Sequence, residues 1–405
     1  MTQPNASEPS NSKEVKLPRR DWILLPALSF ATICLLVFST DVIARRMFAS
    51  LPGSGEDCIV FNDPSTGARG IPNSVCREKI PEGEVTEYRF NSCGHRTDLQ
   101  CGTKPPPGTY RIVMIGGSYA MGMRVPNEKT IAALLPSELS RRTGRNVELY
   151  NEGMPWRPPH IVALHFNEVL TAKPDMILWL LHPSDIWNPL LPLPDPGASQ
   201  VPQAFSALSP YRKARRILGR LKLELSSHSV FMFRHFLYES QNQLISSYLA
   251  ERPDAPFGQK IHGPEFLRTK PNAEWQSHLR DLDSDVADIE AQAKAAGVPV
   301  VAALLPQRAQ VAMISKGVWP AGFDPYKLDN ELRSMIESHG GIYVDILPYF
   351  RSIPNTEQGF FPLDVHPNAR GHAMISGLLA RELTNGAVPV LKVAAQQRAV
   401  LEEGR

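Results

Sequence analysis

A serine follows two glycines directly after an apolar run near position 115. The run Arg111–Ile115 predicts a buried strand, and Gly116 and Gly117 separate it from Ser118. Glycine lets a chain turn where a side chain would not fit, so we predict that the Ser118 hydroxyl projects from the carboxyl end of the strand, where open α/β sheets place their sites. The spacing matches neither G-x-S-x-G, because position 120 is alanine, nor G-x-G-x-x-G. Ser118 is a candidate nucleophile, and a purely structural turn is the alternative.

Asp364 and His366 flank a single residue just before a predicted last helix over 368–384. Residues two apart in an extended segment point the same way, so we predict that the Asp364 carboxylate accepts a hydrogen bond from the His366 ring. The other ring nitrogen is then able to take a proton from Ser118. A helix-start turn in which both side chains satisfy local backbone groups is the alternative. Taken together, the three residues predict acyl transfer through a covalent acyl-enzyme.

The rest of the sequence offers no competing chemistry. It contains no H-E-x-x-H, no P-loop and no zinc-ligand spacing, so we predict neither a metal nor a cofactor. The chain has 43 basic and 41 acidic residues, a net charge of +2, which gives no case for nucleic-acid binding. With 42% hydrophobic residues among 405, it can bury a large core, which excludes wholesale disorder.

Strands and helices alternate along residues 109–385. The predicted strands are 111–115, 147–150, 176–181, 298–306 and 341–346. A helix over 128–142, with Asn127 as its N-cap, follows the serine turn. The alternation predicts a three-layer α/β/α fold with a central parallel five-stranded sheet. A proline-rich helical insertion over about 189–271 interrupts it, and 386–405 form a C-terminal tail.

A run without charged residues, Trp22–Thr40, lies near the N-terminus. As a helix it would reach about 28 Å, close to the roughly 30 Å hydrocarbon core of a bilayer. We interpret it as a single transmembrane anchor in the inner membrane, with a cleaved signal sequence as the main alternative. Four basic residues precede the run, so the positive-inside rule predicts a cytoplasmic tail over 1–21 and a periplasmic main domain.

Four cysteines lie within the segment 41–108, which we predict to be a stalk or cap. They are Cys58, Cys76, Cys93 and Cys101. An even number of cysteines beyond a membrane span is typical of disulfides in an oxidising compartment. Sequential pairing closes the shortest loops, but three pairings are possible and four unlinked thiols are the alternative.

The chain resembles the SGNH hydrolases, also called GDSL-type esterases, in a membrane-anchored form. The resemblance covers roughly residues 90–385. The matching segments are Tyr88–Arg96, the serine turn with Val125–Glu128, Asn151–Gly153, Lys173–Leu178 and Asp364–His366. It implies a flavodoxin-like sheet, with Ser118 as nucleophile, His366 as base and Asp364 as the residue that orients it. It also implies that the backbone N–H groups of Ser118 and Gly153 donate to the oxyanion.

The sequence departs from the family at three places. Gly-Gly-Ser replaces Gly-Asp-Ser, and the acid and base are spaced D-x-H where many members have D-x-x-H. Ser184 stands where the family offers an asparagine to the oxyanion, with Asn188 or His182 as possible substitutes. Near the Gly153 turn, pocket-lining roles and plain packing are both open for Trp156, Arg157 and His160.

The resemblance implies an esterase that removes O-acyl groups from a cell-envelope or exported glycan. Two alternatives stay open at this point. One is an O-acetyltransferase with the same three residues, served by an acetyl-donor or polysaccharide-export membrane protein. The other is a non-catalytic subunit that binds the glycan or assists its assembly.

Overall fold

The computed structural model describes residues 18, 20–51, 53–63, 67–187, 228–250 and 263–393. The predicted insertion therefore lies largely outside the described residues, as do Asn188, most of the predicted cytoplasmic tail and the end of the predicted C-terminal tail.

A five-stranded parallel sheet forms the centre of the main domain, as predicted. Its strands are β5 (Thr109–Gly116), β6 (Asn146–Asn151), β7 (Met176–Leu181), β8 (Val300–Leu304) and β9 (Ile342–Tyr343), in the spatial order β6-β5-β7-β8-β9. Strand β7 reads MILWLL and every residue of it is buried, because a parallel sheet covered on both faces leaves no side for polar residues. Strand β9 has two residues, fewer than the predicted run 341–346.

Helices cover the sheet in two groups. Helix α3 (Ile131–Thr143) packs against the last helix, α12 (Ala369–Glu382). The long helix α9 (Ala273–Ala296) packs against α4 (Pro159–Leu164), α5 (Phe166–Thr171) and α6 (Pro183–Trp187). The remaining helices of this part are α2 (Ser118–Met121), α10 (Arg308–Lys316) and α11 (Lys327–Ser338). This arrangement confirms the predicted three layers.

Helix α3 begins later than predicted. Asn127–Lys129 form a separate 3₁₀ turn, and the N-cap is Thr130, whose side chain accepts a hydrogen bond from the Ala133 N–H. Thr130 has an extended backbone, with φ of −83° and ψ of 162°, which separates the 3₁₀ turn from the helix. Asn368, by contrast, caps α12 through the Gly371 N–H.

The N-terminal apolar run lies in helix α1 (Asp21–Met47). Its 27 residues span about 40 Å, and the helix is long and apolar enough to cross a membrane, a property that signal sequences share. Helices α7 (His228–Glu239) and α8 (Gln241–Ala250) follow in the described part of the chain. Helix α7 packs along α1, where Phe48 contacts the rings of Phe231 and His235.

Two small antiparallel sheets fill the cysteine-containing segment. Strand β1 (Ile59–Asp63) pairs with β2 (Gly67–Gly70), and β3 (Val75–Glu78) pairs with β4 (Thr86–Arg89). Disulfides join Cys58 to Cys76 and Cys93 to Cys101, which is the sequential pairing. Tyr88 and Phe90 of this segment are buried in one cluster with Met121, Met123 and Met154, so the segment packs onto the chain that follows Ser118.

Candidate active site

The turn that carries Ser118 is built as the sequence predicts. Strand β5 ends at Gly116, whose φ of +145° is a conformation that side chains rarely adopt, and a Cβ there would lie 2.3 Å from the Leu180 carbonyl oxygen. A Cβ on Gly117 would lie 2.2 Å from Asp185 Oδ1. Ser118 then opens helix α2. Backbone conformation and close approach therefore require glycine at 116, and the Asp185 carboxylate fills the space beside Gly117; the turn places the serine at the carboxyl end of a central strand.

Ser118, His366 and Asp364 form one hydrogen-bonded series. His366 Nε2 lies 2.9 Å from Ser118 Oγ, and His366 Nδ1 lies 2.6 Å from Asp364 Oδ1. An ionised carboxylate only accepts hydrogen bonds, so the proton of the neutral ring belongs on Nδ1 and the serine hydroxyl donates to Nε2. The structure thus brings together the three residues that the sequence singled out, in the orientation that general-base activation of a hydroxyl requires.

The segment between Asp364 and His366 is not extended, so the geometric argument from the sequence was wrong. Val365 has a left-handed backbone with φ of +67°. The segment is a tight turn, in which the Val365 N–H donates to the Phe361 carbonyl and the Phe361 N–H donates to the His366 carbonyl. Both side chains still reach one another because the turn folds them together. Tyr119 Oη donates to the Val365 carbonyl at 2.9 Å, which holds this strained residue in place.

Arg124 supports the carboxylate from the side opposite His366. Its Nε lies 3.2 Å from Asp364 Oδ2, and its guanidinium also pairs with Glu78. Burial alone would raise the pKa of Asp364, but the nearby His366 ring and the Arg124 guanidinium lower it to about 2. Asp364 is therefore ionised at neutral pH and able to stabilise a protonated His366.

The cysteine-containing segment anchors Arg124 and the loop around it. Tyr88 Oη donates to Glu78 and accepts from the Arg124 N–H at 2.8 Å. The buried guanidinium of Arg96 donates to the carbonyl oxygens of Gly122 and Val125 at 2.5 and 2.8 Å. Sequence reasoning missed Glu78 and Arg124, since no motif or periodic pattern marks them, and it gave no role to Tyr88, although Tyr88 opens one of the matching segments.

The two predicted oxyanion donors beyond Ser118 are engaged with other groups. The Gly153 N–H donates to Asn151 Oδ1 at 2.9 Å. Ser184 Oγ lies 2.6 Å from His182 Nδ1, which also accepts the Ser184 N–H at 3.1 Å. Because His182 Nδ1 accepts the Ser184 N–H, it carries no proton, and the Ser184 hydroxyl therefore donates to it as well. A substrate oxyanion would have to replace Asn151 as the partner of Gly153.

Asp185 supplies a buried carboxylate beneath the serine turn. Its Oδ2 accepts the His182 N–H at 2.9 Å, and the carboxylate also accepts the Gly117 N–H. Burial raises the pKa of Asp185 to about 7, against the two backbone hydrogen bonds, which lower it. Because its oxygen occupies the space that a side chain at 117 would need, the Gly-Gly-Ser departure has a steric reason in this chain.

The predicted pocket residues differ in their placement. Trp156 is 42% exposed and has a left-handed backbone, with φ of +61°. Arg157 is buried and lies 3.9 Å from Glu152, an ion pair that takes it away from solvent. His160 is half-buried, and burial lowers its pKa. Within the described ranges, no group of His, Cys, Asp and Glu has the arrangement of a metal site.

Comparisons with known proteins give a consistent set of structural neighbours. No protein-family model and no curated protein matches the chain. Among solved structures, it is similar to an acetylxylan esterase from Geobacillus stearothermophilus, with 12% identity over 69% of this chain and 96% of that one and a TM-score of 0.36. It is similar to a lipase/acylhydrolase from Enterococcus faecalis, with 12% identity over 68% and 95% and a TM-score of 0.36.

A third neighbour is described as a candidate SGNH hydrolase. It comes from Slackia heliotrinireducens, with 13% identity over 68% of this chain and 99% of that one and a TM-score of 0.32. The chain resembles esterases and acylhydrolases of this kind.

Proposed function

We propose that the protein is a serine esterase in which Ser118 attacks an ester carbonyl. The observation that carries the proposal is the series from Ser118 Oγ to His366 Nε2 at 2.9 Å and from His366 Nδ1 to Asp364 at 2.6 Å. His366 takes the serine proton as the Ser118 oxygen bonds to the carbonyl carbon, and returns it to the departing alkoxide. His366 then deprotonates a water that bonds to the acyl carbon. The bond from that carbon to Ser118 Oγ breaks, the proton passes from His366 to Ser118 Oγ, and the acid is released.

We further propose that the esterase is tethered to the inner membrane by α1 and acts on O-acyl groups of a cell-envelope or exported glycan. The length and composition of α1 support the tether, and the two disulfides support an oxidising compartment outside the cytoplasm. The glycan substrate follows from the family resemblance of the sequence.

Covalent labelling with a fluorophosphonate tests the chemistry. The full chain in detergent micelles should incorporate the probe at Ser118, and Ser118→Ala should reduce labelling to background. His366→Ala should slow it by about three orders of magnitude or more, because the hydroxyl loses its base. Equal labelling of wild type and Ser118→Ala would refute the proposal.

Product analysis tests the substrate. The wild-type protein is offered an O-acetylated polysaccharide, and free acetate is measured against Ser118→Ala. Release of acetate supports hydrolysis. Acetyl groups that appear on an added sugar acceptor faster than free acetate would assign acyl transfer, and absence of both with retained glycan binding would assign a binding role.

A further inference from the structure

Glu82 holds the turn that precedes Asp364. It lies between β3 and β4 in the cysteine-containing segment, and its side chain is 2% exposed. Its carboxylate accepts the Asp364 N–H at 3.1 Å and the Leu363 N–H at 3.0 Å. Consecutive backbone N–H groups aimed at one carboxylate form an anion-binding concavity of the kind seen in nests. Here the anion is a side chain of the same protein.

The position of Glu82 is fixed in turn by helix α7. His235 Nδ1 lies 2.7 Å from Glu82 Oε1, and His235 Nε2 lies 3.4 Å from Glu239. The His235 ring packs against Phe48 at a centroid distance of 4.9 Å, just beyond the end of α1. A continuous set of contacts therefore runs from the end of the apolar helix through His235 and Glu82 to the backbone of Asp364.

The turn needs such support because its own backbone is strained. Val365 is β-branched and left-handed, a combination that costs roughly 1–2 kcal/mol. Strained residues persist only where the surroundings over-determine them. Tyr119 fixes the carbonyl of Val365, and Glu82 fixes the N–H groups of the two residues before it. The two side chains thus hold the turn from both sides of the strained residue.

We propose that Glu82 is a positioning residue for the acid–base pair, which sets the turn so that Asp364 and His366 face Ser118. Glu82 acts through the backbone of Leu363 and Asp364 and does not reach the reacting atoms. This inference rests on the proposed esterase function. The cysteine-containing segment thereby supports the acid–base pair through Glu82, and α7 contacts Glu82 through His235.

The test compares Glu82→Gln and Glu82→Ala with wild type in the full chain, using a small acetyl ester as substrate. Glutamine keeps one acceptor oxygen but loses the charge, and alanine loses both. We expect kcat to fall in the order wild type, Glu82→Gln, Glu82→Ala, by roughly 10- to 100-fold at the end of the series, with KM little changed. His235→Gln, which leaves the backbone contacts in place, should lower kcat less than either.

Glu84→Gln is the matched control. Glu84 lies two residues away in the same loop, but it is exposed and pairs only with the exposed Lys129 in the part of the chain that the structure describes. We expect its kcat to equal that of wild type. Equal kcat in Glu82→Ala and Glu84→Gln, or a change in KM alone, would overturn the proposal.

Hydrogen exchange separates this inference from the proposed function. In Glu82→Ala, peptides that contain residues 361–366 should exchange faster than in Glu84→Gln, whether or not the protein turns over ester. Unchanged exchange there would overturn the positioning role. If wild type hydrolyses ester no faster than Ser118→Ala while exchange responds as expected, the esterase function fails and the structural role of Glu82 stands.

Discussion

The turns that carry Ser118 and His366 are held in different ways. The Ser118 turn is set by close packing: a buried strand ends at two glycines, next to which the Leu180 backbone and Asp185 fill the space, and the first turn of α2 follows. The His366 turn contains a left-handed valine and depends on distant partners. Tyr119 and Glu82 lie 246 and 282 residues from the groups that they hold.

The two turns are therefore vulnerable to different kinds of substitution. A turn fixed by steric close approach fails when atoms are added to it. A turn fixed by long-range hydrogen bonds fails when single polar atoms are removed. Substitutions of these two kinds should therefore affect the two turns in different ways.

Adding a side chain to the Ser118 turn should have the largest effect. Gly117→Asp places a Cβ 2.2 Å from Asp185 Oδ1 and two carboxyl groups in one buried space. We expect kcat/KM for a small ester to fall on the order of 100-fold, since a displacement of about 1 Å at the reacting group costs that much. The double variant with Asp185→Gly, which vacates the space, should recover part of the loss.

Gly263→Asp is the control for this substitution, because a Cβ at 263 meets nothing within 4 Å. It should leave kcat/KM unchanged. Full activity of Gly117→Asp would show that the turn is not set by close packing.

The two turns should also respond to pH with opposite signs. Asp364 has a pKa of about 2 in the folded chain and 3.8 ordinarily. Its contribution, roughly 2 kcal/mol, is present above about pH 4 and is lost as pH falls toward 2. Asp185 has a raised pKa of about 7, so the folded state holds its proton more tightly than the unfolded state. Its contribution is present below about pH 4 and is lost as pH rises toward 7.

Urea unfolding across this pH range measures both contributions. Asp364→Asn should flatten the acidic side of the stability profile, and Asp185→Asn should flatten the fall between pH 4 and 7. If both variants showed the same dependence of unfolding free energy on pH as wild type, the assignment of these two carboxyl groups would be contradicted.

Removing the Tyr119 hydroxyl, which supports the His366 turn, should have the smallest effect. Tyr119→Phe keeps the ring that stacks on His182 at 3.8 Å but loses the hydrogen bond to the Val365 carbonyl. A loss of about 1 kcal/mol corresponds to a roughly fivefold lower kcat. Tyr349→Phe removes a comparable bond, to Glu382 at 2.5 Å, outside the site. It should not change kcat, and an equal loss in both variants would point to stability alone.

The sequence predicted the Ser118 turn more fully than the His366 turn. The apolar run before Gly116 predicts β5 from the sequence alone. The even number of cysteines indicated disulfides in the segment that contains two of them. The left-handed backbone of Val365 was not predicted, because a β-branched residue is among the least expected in that conformation. No sequence pattern marks partners such as Glu82, since only folding brings them to the turn.

Ser184 shows a further limit of reasoning from alignment with a family motif. The residue stands at the position of an oxyanion donor, yet its hydroxyl and N–H both face His182, two residues earlier. Short hydroxyl side chains at the start of a helix readily bond to neighbouring groups. Sequence position alone could not separate this local bond from a contact with substrate.

The two disulfides lie in the segment that sends Glu78, Glu82, Tyr88 and Arg96 to the neighbourhood of the reacting groups. Cross-links there restrict the unfolded chain and favour the assembled segment. In a reducing environment the chain would lack these covalent ties. Oxidation of the four thiols would therefore do more than stabilise the segment, because it would complete the support of the reacting groups.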